Sequence, residues 1–307
     1  MTLILAVNGR ETIWLLADRR LSAKGRKPKD DAHKIMILET SDGLAILGYA
    51  GLGATALRTE PADWMSAVLR GRNLPLERSL GILAEAMKKQ LPRHLVMLQG
   101  NDGPVHNVVI PAILENKIRL YTIDLAFSQD RKSYKFRYTR HVVGKATPDN
   151  PRTPRIGLAG TGASHLIRDK SWIRPLLTLV KNSDQGKLSP QAIADHLAKI
   201  NHDVSLGIED QSVGPRCIVA WRNRKKGFYR GGGGHQYYTE NNRDDNAPTL
   251  PTIGSGMDIS AIVDVIMPHM NKMFDSLFEG KLLEELNKEK LNEDLSKLPD
   301  EPDEELQ

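Results

Sequence analysis

A single cysteine, Cys217, occurs among 307 residues, which rules out an intramolecular disulfide and fits a reducing compartment. It lies in the strand-like run Arg216-Cys217-Ile218-Val219-Ala220-Trp221 and reads as a core residue rather than a nucleophile. No run of about 20 apolar residues is present, and no basic start leads into an apolar signal core. The expectation is therefore a cytoplasmic chain that spans no membrane and is processed only at Met1, with no propeptide ahead of Thr2. Nine histidines form no HExxH pair or other paired metal-ligand spacing, so no metal is expected.

Two binding readings are weighed and set behind. Gly51-Leu52-Gly53-Ala54-Thr55-Ala56 matches a GxGxxA dinucleotide fingerprint, which needs a parallel βαβ unit and an acidic residue about 20 positions on. The preceding strands read as hairpins, and Arg70-Gly71-Arg72 stands at the acidic position. Arg222, Arg224, Lys225, Lys226 and Arg230 cluster near Phe228, Tyr229, Tyr237 and Tyr238, a mix that can grip phosphate and stack bases. A solvated strand-end turn explains the same residues, and nucleic-acid binding stands as a rival. The net charge of +5 hides an acidic end: residues 281–307 hold four Lys against ten Asp or Glu, leaving +11 for the rest.

What is present begins at Thr2, directly behind Met1. Removing Met1 leaves a hydroxyl nucleophile carrying its own amine, whose pKa of about 8 suits it to accept the hydroxyl proton. Leu3-Ile4-Leu5-Ala6-Val7 reads as a buried strand, Asn8-Gly9-Arg10 as a tight turn, and Thr12 to Ala17 as the returning strand. Asp18 then ends the second strand beside the start of the first. A basic loop leads to Lys34, which opens Ile35-Met36-Ile37-Leu38, and Ser41-Asp42-Gly43 turns the chain into Leu44 to Gly48.

Thr2-Leu3-Ile4, Ala17-Asp18-Arg19-Arg20, Lys34-Ile35, Gly48-Tyr49-Ala50-Gly51-Leu52-Gly53, Gly160-Thr161-Gly162 and Ser212 together resemble the proteasome β-subunit family of N-terminal-nucleophile hydrolases, including its bacterial peptidase relatives. The resemblance covers about Thr2 to Tyr229. It implies that Thr2 Oγ attacks the scissile carbonyl and that the freed α-amine serves as base and then as proton donor. It further implies that Lys34 lowers the pKa of both groups, Asp18 holds Lys34, and the Gly48 N–H supplies an oxyanion hole. Thr161 and Ser212 become hydroxyls supporting the amine. The supporting acid falls at Glu209 or Asp210, with Asp210 taken. Pocket positions transfer to Leu21, Ala32, Met36, Ile46 and Ala50, all apolar, which implies hydrophobic residues before the cut. The substrate implied is a peptide or unfolded protein, hydrolysed without cofactor by a homo-oligomeric ring or helical stack that an ATP-driven unfoldase can feed. A catalytically silent scaffold subunit and a small-amide hydrolase stay open as alternatives.

The rest of the chain supplies the layers of that fold. Gly51 to Arg70 and Leu76 to Gln90 read as helices, Val105 to Leu114 and Lys117 to Asp124 as a hairpin about Glu115-Asn116, and Ser128 to Pro154 as an exposed connection. Arg155 to Ala159 reads as a strand, followed by helices near His165–Val180 and Ser189–His202, the latter opened by Ser189-Pro190. Val213 to Arg222 and Gly227 to Arg230 close a second sheet. The fold class expected is α+β, a four-layer α/β/β/α sandwich of two mainly antiparallel sheets over residues 2–230. A linker at 231–254 leads to an amphipathic helix at 255–280, which Pro268 is expected to kink and which offers a subunit contact, and then to the acidic tail at 281–307.

Overall fold

The computed structural model describes residues 2–21, 27–51, 60–94, 106–127, 134–147, 150–224, 232–240, 242–244, 248–278 and 287–303. The chain opens with β1 (Ile4–Asn8), β2 (Thr12–Asp18), β3 (Ile35–Glu39) and β4 (Gly43–Ala50), then α1 (Pro61–Leu69) and α2 (Leu76–His94). Next come β5 (Asn107–Leu114), β6 (Lys117–Phe127), β7 (Tyr134–Arg140), β8 (Val143–Thr147), β9 (Asn150–Arg152) and β10 (Ile156–Ala159). Helices α3 (Thr161–Arg168), α4 (Ile173–Asp184) and α5 (Pro190–Gly207) precede β11 (Cys217–Asn223), β12 (Gly233–Thr239) and β13 (Asn242–Asp244). The chain finishes with β14 (Thr252–Gly254), β15 (Met257–Asp258), α6 (Ile259–Phe278) and α7 (Lys288–Ser296).

Two large sheets form among the described residues, one of 6 strands in the order β10-β1-β2-β11-β12-β13 and one of 7 in the order β15-β14-β3-β4-β5-β6-β7, and β8 pairs with β9 in a separate 2-stranded sheet. Apart from the parallel β14–β3 pair, their ladders are antiparallel. Strand periodicity sorts the side chains onto two faces. Leu3, Leu5, Trp14, Leu16 and Val219 pack with Leu176, Ile193 and Leu197 of α4 and α5. Their sequence neighbours Ile4, Ala6, Ile13, Leu15 and Ile218 pack instead with Ile35, Ile37, Ile46 and Val109 of the other sheet. On the outer face of that second sheet, Met36, Leu47 and Tyr49 meet Trp64, Val68, Leu80 and Leu83 of α1 and α2. The result is the α+β, α/β/β/α order, and burial on both faces explains why β1 to β4 read as nearly unbroken apolar runs.

Several local features follow their chemistry. Glu115 and Asn116 take φ of 49° and 59°, the double left-handed conformation of a two-residue hairpin turn. Ser189 caps α5 by accepting a hydrogen bond from the Ala192 N–H at 3.3 Å, with Pro190 at the first helical position. Cys217 is fully buried, and burial pushes its thiol pKa up, as a core residue requires.

Elsewhere the structure departs from the pattern read in the sequence. Residues 134–140, expected in an exposed connection, form edge strand β7, which pairs with β6 and places Phe136 against α2. The expected helix at 165–180 is two helices, α3 and α4, separated at Asp169, whose carboxylate accepts from the Ser171 N–H and hydroxyl. The segment 231–254, read as a linker, contributes β12 and β13 to one sheet and β14 to the other, with Tyr237 and Tyr238 buried. Strand β11 lies beside β2 in the sheet of β1. Its glycine-rich partner β12 tolerates Gly233 and Gly234 because they face Arg222 and Trp221 at distances a Cβ could not fit. The expected strand at 227–230 lies outside the described residues.

Leu15 sits fully buried in the layer between the sheets, whereas Leu206 is 74% exposed. Leu15→Ala is expected to lower the unfolding free energy by about 2–5 kcal/mol in urea titrations. Leu206→Ala is expected to change it by less than about 0.5 kcal/mol.

Candidate active site

Strands β1 and β2 pair with Ile4 opposite Ala17, so Leu3 and Asp18 meet one step farther along. The Asp18 N–H donates to Leu3 O at 3.1 Å, and Asp18 Oδ1 accepts from the Leu3 N–H at 2.8 Å. Asp18 is thereby held at the end of the ladder beside Thr2. Lys34 enters from the opposing sheet, immediately before β3, with its carbonyl bonded to the Tyr49 N–H at 3.0 Å.

The ammonium of Lys34 spends all three of its donors in one place. It bonds Thr2 Oγ1, Asp18 Oδ1 at 3.0 Å and the carbonyl of Arg20 at 2.6 Å. The Thr2 hydroxyl in turn donates to Asp18 Oδ1. The second carboxylate oxygen, Oδ2, accepts from the N–H groups of Arg20 at 3.0 Å and Gly214 at 3.2 Å. Thr2 is 1% exposed, Asp18 0% and Lys34 3%. Burial lowers the Lys34 pKa because the charged form loses its hydration, and Asp18 and Asp30 oppose that shift.

A second group of hydroxyls closes on the Thr2 backbone. The Thr2 N–H donates to Thr161 Oγ1 at 3.3 Å, and Thr161 Oγ1 lies 2.9 Å from Ser212 Oγ. The Gly162 N–H, in the first turn of α3, donates to Thr2 O at 3.1 Å. Both glycines of Gly160-Thr161-Gly162 are required by this approach. A Cβ on Gly160 would stand 2.1 Å from Thr2 O, at φ +87°, and one on Gly162 would stand 2.8 Å from Leu3 Cβ. Both candidate acids are exposed, and Asp210 is the one bonded to Ser212: its Oδ1 accepts from the Ser212 N–H at 2.9 Å.

Three residues that the sequence did not mark as functional join the site. Arg20 and Asp30 form a two-bond ion pair at 2.6 Å and 2.6 Å, and Gly214 carries one of the N–H groups that hold Asp18. The second arginine of Arg19-Arg20 and the glycine two places after Ser212 were visible, but nothing in their local spacing tied them to Thr2.

The remaining expected residues divide. Gly48 stands opposite Ile35, one step from Lys34, and its missing Cβ faces Leu15 and Ile4 across the inter-sheet layer. The five apolar pocket positions do not share one face. Met36 packs toward the helices, whereas Ile46 and Ala50 pack between the sheets, because adjacent ladder positions alternate. Ala32 is buried with its N–H on Arg19 O, and Leu21 is partly exposed in a bridge with Lys29. Met36 therefore does not share a face with Ile46 and Ala50.

In the basic and aromatic cluster, Arg222, Tyr237 and Tyr238 are buried and Arg224 is paired with Glu11, so its described members offer no open stacking platform. Lys225, Lys226, Phe228, Tyr229 and Arg230 lie outside the described residues, as do residues 52–56 of the dinucleotide fingerprint. Among the described residues, no group of three or more His, Cys, Asp or Glu is placed to hold a metal. None of the described helices is long and apolar enough to cross a membrane.

The glycine geometry yields a paired expectation. Gly160→Ala should cost about 3 kcal/mol or more, from strain and collision with the Thr2 backbone. Gly186→Ala, also at positive φ but with open space around it, should cost only about 1–2 kcal/mol. Denaturant unfolding of both variants measures the difference.

No protein-family profile matches the chain, and no curated protein matches it. Solved structures that align with it include an Anbu (Gly-1) mutant from Hyphomicrobium sp. strain MC1, at a TM-score of 0.43 and 15% identity, over 73% of this chain and 82% of that one. Anbu (ancestral beta-subunit) from Yersinia bercovieri aligns at 0.45 and 14%, over 76% and 86%. The helical assembly of the Anbu complex from Pseudomonas aeruginosa aligns at 0.44 and 14%, over 89% and 95%. The proteasome β-subunit resemblance read from the sequence is corrected accordingly: these aligned structures are Anbu proteins, a distinct family, and at these scores they assign this chain to no family.

Proposed function

We propose that the chain is a threonine-type amide hydrolase acting on peptide bonds, with Thr2 as nucleophile once Met1 is removed. One observation carries the reading: a buried lysine and a buried aspartate both converge on the hydroxyl of the residue that follows Met1. A structural threonine in a strand needs neither partner, and burying an ion pair costs several kcal/mol of desolvation that a threonine methyl could have avoided.

Loss of Met1 turns the Thr2 amide nitrogen into an amine without moving the hydroxyl. Two bases then stand near Oγ1, that amine and Lys34, whose neutral form burial favours. Attack of Oγ1 on the scissile carbonyl forms an ester to Thr2 and breaks the peptide C–N bond, and the hydroxyl proton, relayed through the base, leaves on the departing amine. Water then hydrolyses the ester and regenerates the hydroxyl. Thr161, Ser212 and Asp210 hold the nitrogen in register, and the Gly48 N–H is assigned the carbonyl oxygen.

A second reading is favoured by the near-complete burial of Thr2. A chain that keeps Met1 would hold the hydroxyl closed and act as a silent scaffold. Assembly into a homo-oligomer belongs to both readings, and Met257, Met267 and Phe274, at and along α6, expose apolar surface suited to it.

Intact-mass measurement is expected to show an N-terminus at Thr2, and peptide hydrolysis should fall about 1,000-fold or more in Thr2→Ala while Thr2→Ser keeps measurable activity. Lys34→Arg, which cannot lose its proton, should lose as much as Thr2→Ala. In the wild type, kcat/KM should rise with pH through the pKa of the base and level off below the ordinary lysine range. Hydrolysis that survives Thr2→Ala, or that accompanies a retained Met1, rejects the nucleophile assignment.

A further inference from the structure

Arg20 is bonded to Asp18, Lys34, Asp30 and Gln211 but not to Thr2. Its N–H donates to Asp18 Oδ2 at 3.0 Å and its carbonyl accepts from Lys34 Nζ at 2.6 Å. Its guanidinium grips Asp30 through two bonds of 2.6 Å and donates to Gln211 O at 2.9 Å. Gln211 stands at φ +50°, between Asp210 and Ser212. Gly214 lies under the pair, where a Cβ would come within 2.7 Å of Asp30 Oδ1 and 2.9 Å of Arg20 Cβ. One ion pair, 14% and 25% exposed, therefore ties the end of β2, the segment leading to Lys34 and the loop carrying Ser212.

An isolated, exposed ion pair contributes little. This one is a planar fork matched to a carboxylate and largely enclosed, so it fixes geometry as well as charge. We propose that Arg20 and Asp30 are a charged positioning pair: they hold the Arg20 carbonyl against the Lys34 ammonium, set the pH at which Lys34 gives up its proton, and lock the Ser212 loop to the same frame. The assignment rests on the reading above, in which Thr2 and Lys34 react.

The charges facing Lys34 define the test. Asp18 of β2 and Asp30 favour the ammonium, and Arg20 disfavours it. The Thr2 nitrogen adds a further positive charge once free and protonated. Cys217, opposite Asp18 on β11, is kept neutral by burial, and Arg19 is turned over the Tyr237 ring at 4.9 Å. Removing one member of the pair therefore moves Lys34 in a direction that depends on which member goes. General loosening of the fold has no such signature.

The experiment follows the ¹³Cε resonance of Lys34 through a pH titration of the full chain, beside the pH profile of peptide hydrolysis. Asp30→Asn should move the Lys34 titration, and the limb of the rate profile, to lower pH. Arg20→Gln should move both to higher pH, and the double variant should return toward the wild type. Arg20→Lys keeps the charge but loses the fork and the Gln211 bond, so its titration should stay near the wild type while kcat falls on the order of tenfold or more at unchanged KM. Shifts in one common direction, or no shift in either single variant, overturn the proposal. The resonance is read whether or not the chain hydrolyses peptides. Opposite shifts without Thr2-dependent hydrolysis sustain the pair and reject the hydrolase reading, and Thr2-dependent hydrolysis without the shifts does the reverse.

Discussion

The ion pair between Lys34 and Asp18, closed from water between the ends of two sheets, is the constraint on which the local structure depends. A carboxylate and an ammonium lose several kcal/mol of hydration each on such burial. Mutual attraction recovers this only when the remaining donors and acceptors are also satisfied. Here Asp18 accepts from Thr2, Leu3, Arg20, Gly214 and Lys34, and Lys34 donates to Thr2, Asp18 and Arg20. Each bond fixes a backbone segment, so the charges organise the chain around them.

That organisation explains the glycines. Gly214 must admit the Asp18 carboxylate and the Arg20–Asp30 pair together, and Gly160 and Gly162 must let the start of α3 press against Thr2. Side chains are missing where polar backbone has to reach a polar partner. The hydrophobic layers lie above and below, with Ile4 and Leu15 facing the second sheet and Leu3 and Leu16 facing the helices. The site sits at the rim where these layers end, which lets apolar packing hold polar groups in place without surrounding them with hydrocarbon.

Much of this was legible in the sequence. Thr2, Asp18 and Lys34 could be placed together because each flanks an apolar run, and runs of known period put their ends in register. Thr161 and Ser212 were marked by short motifs, and the structure brings the Thr161 hydroxyl to the Thr2 nitrogen and the Ser212 hydroxyl to Thr161. The four-layer order could be read from the alternation of strand pairs and helices. Arg20 and Asp30 were not legible, because a long-range ion pair leaves no periodicity. Which face each expected pocket residue takes was not legible, because position alone does not tell it: Met36 and Ile46 sit on strands paired with each other and point opposite ways. Strands β7 and β12 were missed for a related reason: the edge strand β7 is rich in charge and the interior strand β12 opens on two glycines, so neither has the apolar run that announces a buried strand.

The position of β1 carries a consequence for the order of events during folding. This strand is flanked by β2 on one side and β10 on the other, with Thr2 bonded to the start of α3. Half of its pairing surface waits for a segment about 150 residues downstream, and contacts of such long range form slowly. One edge of β1 thus stays open until β10 pairs with it. Thr2 is accordingly enclosed late, when β10 and the start of α3 arrive together.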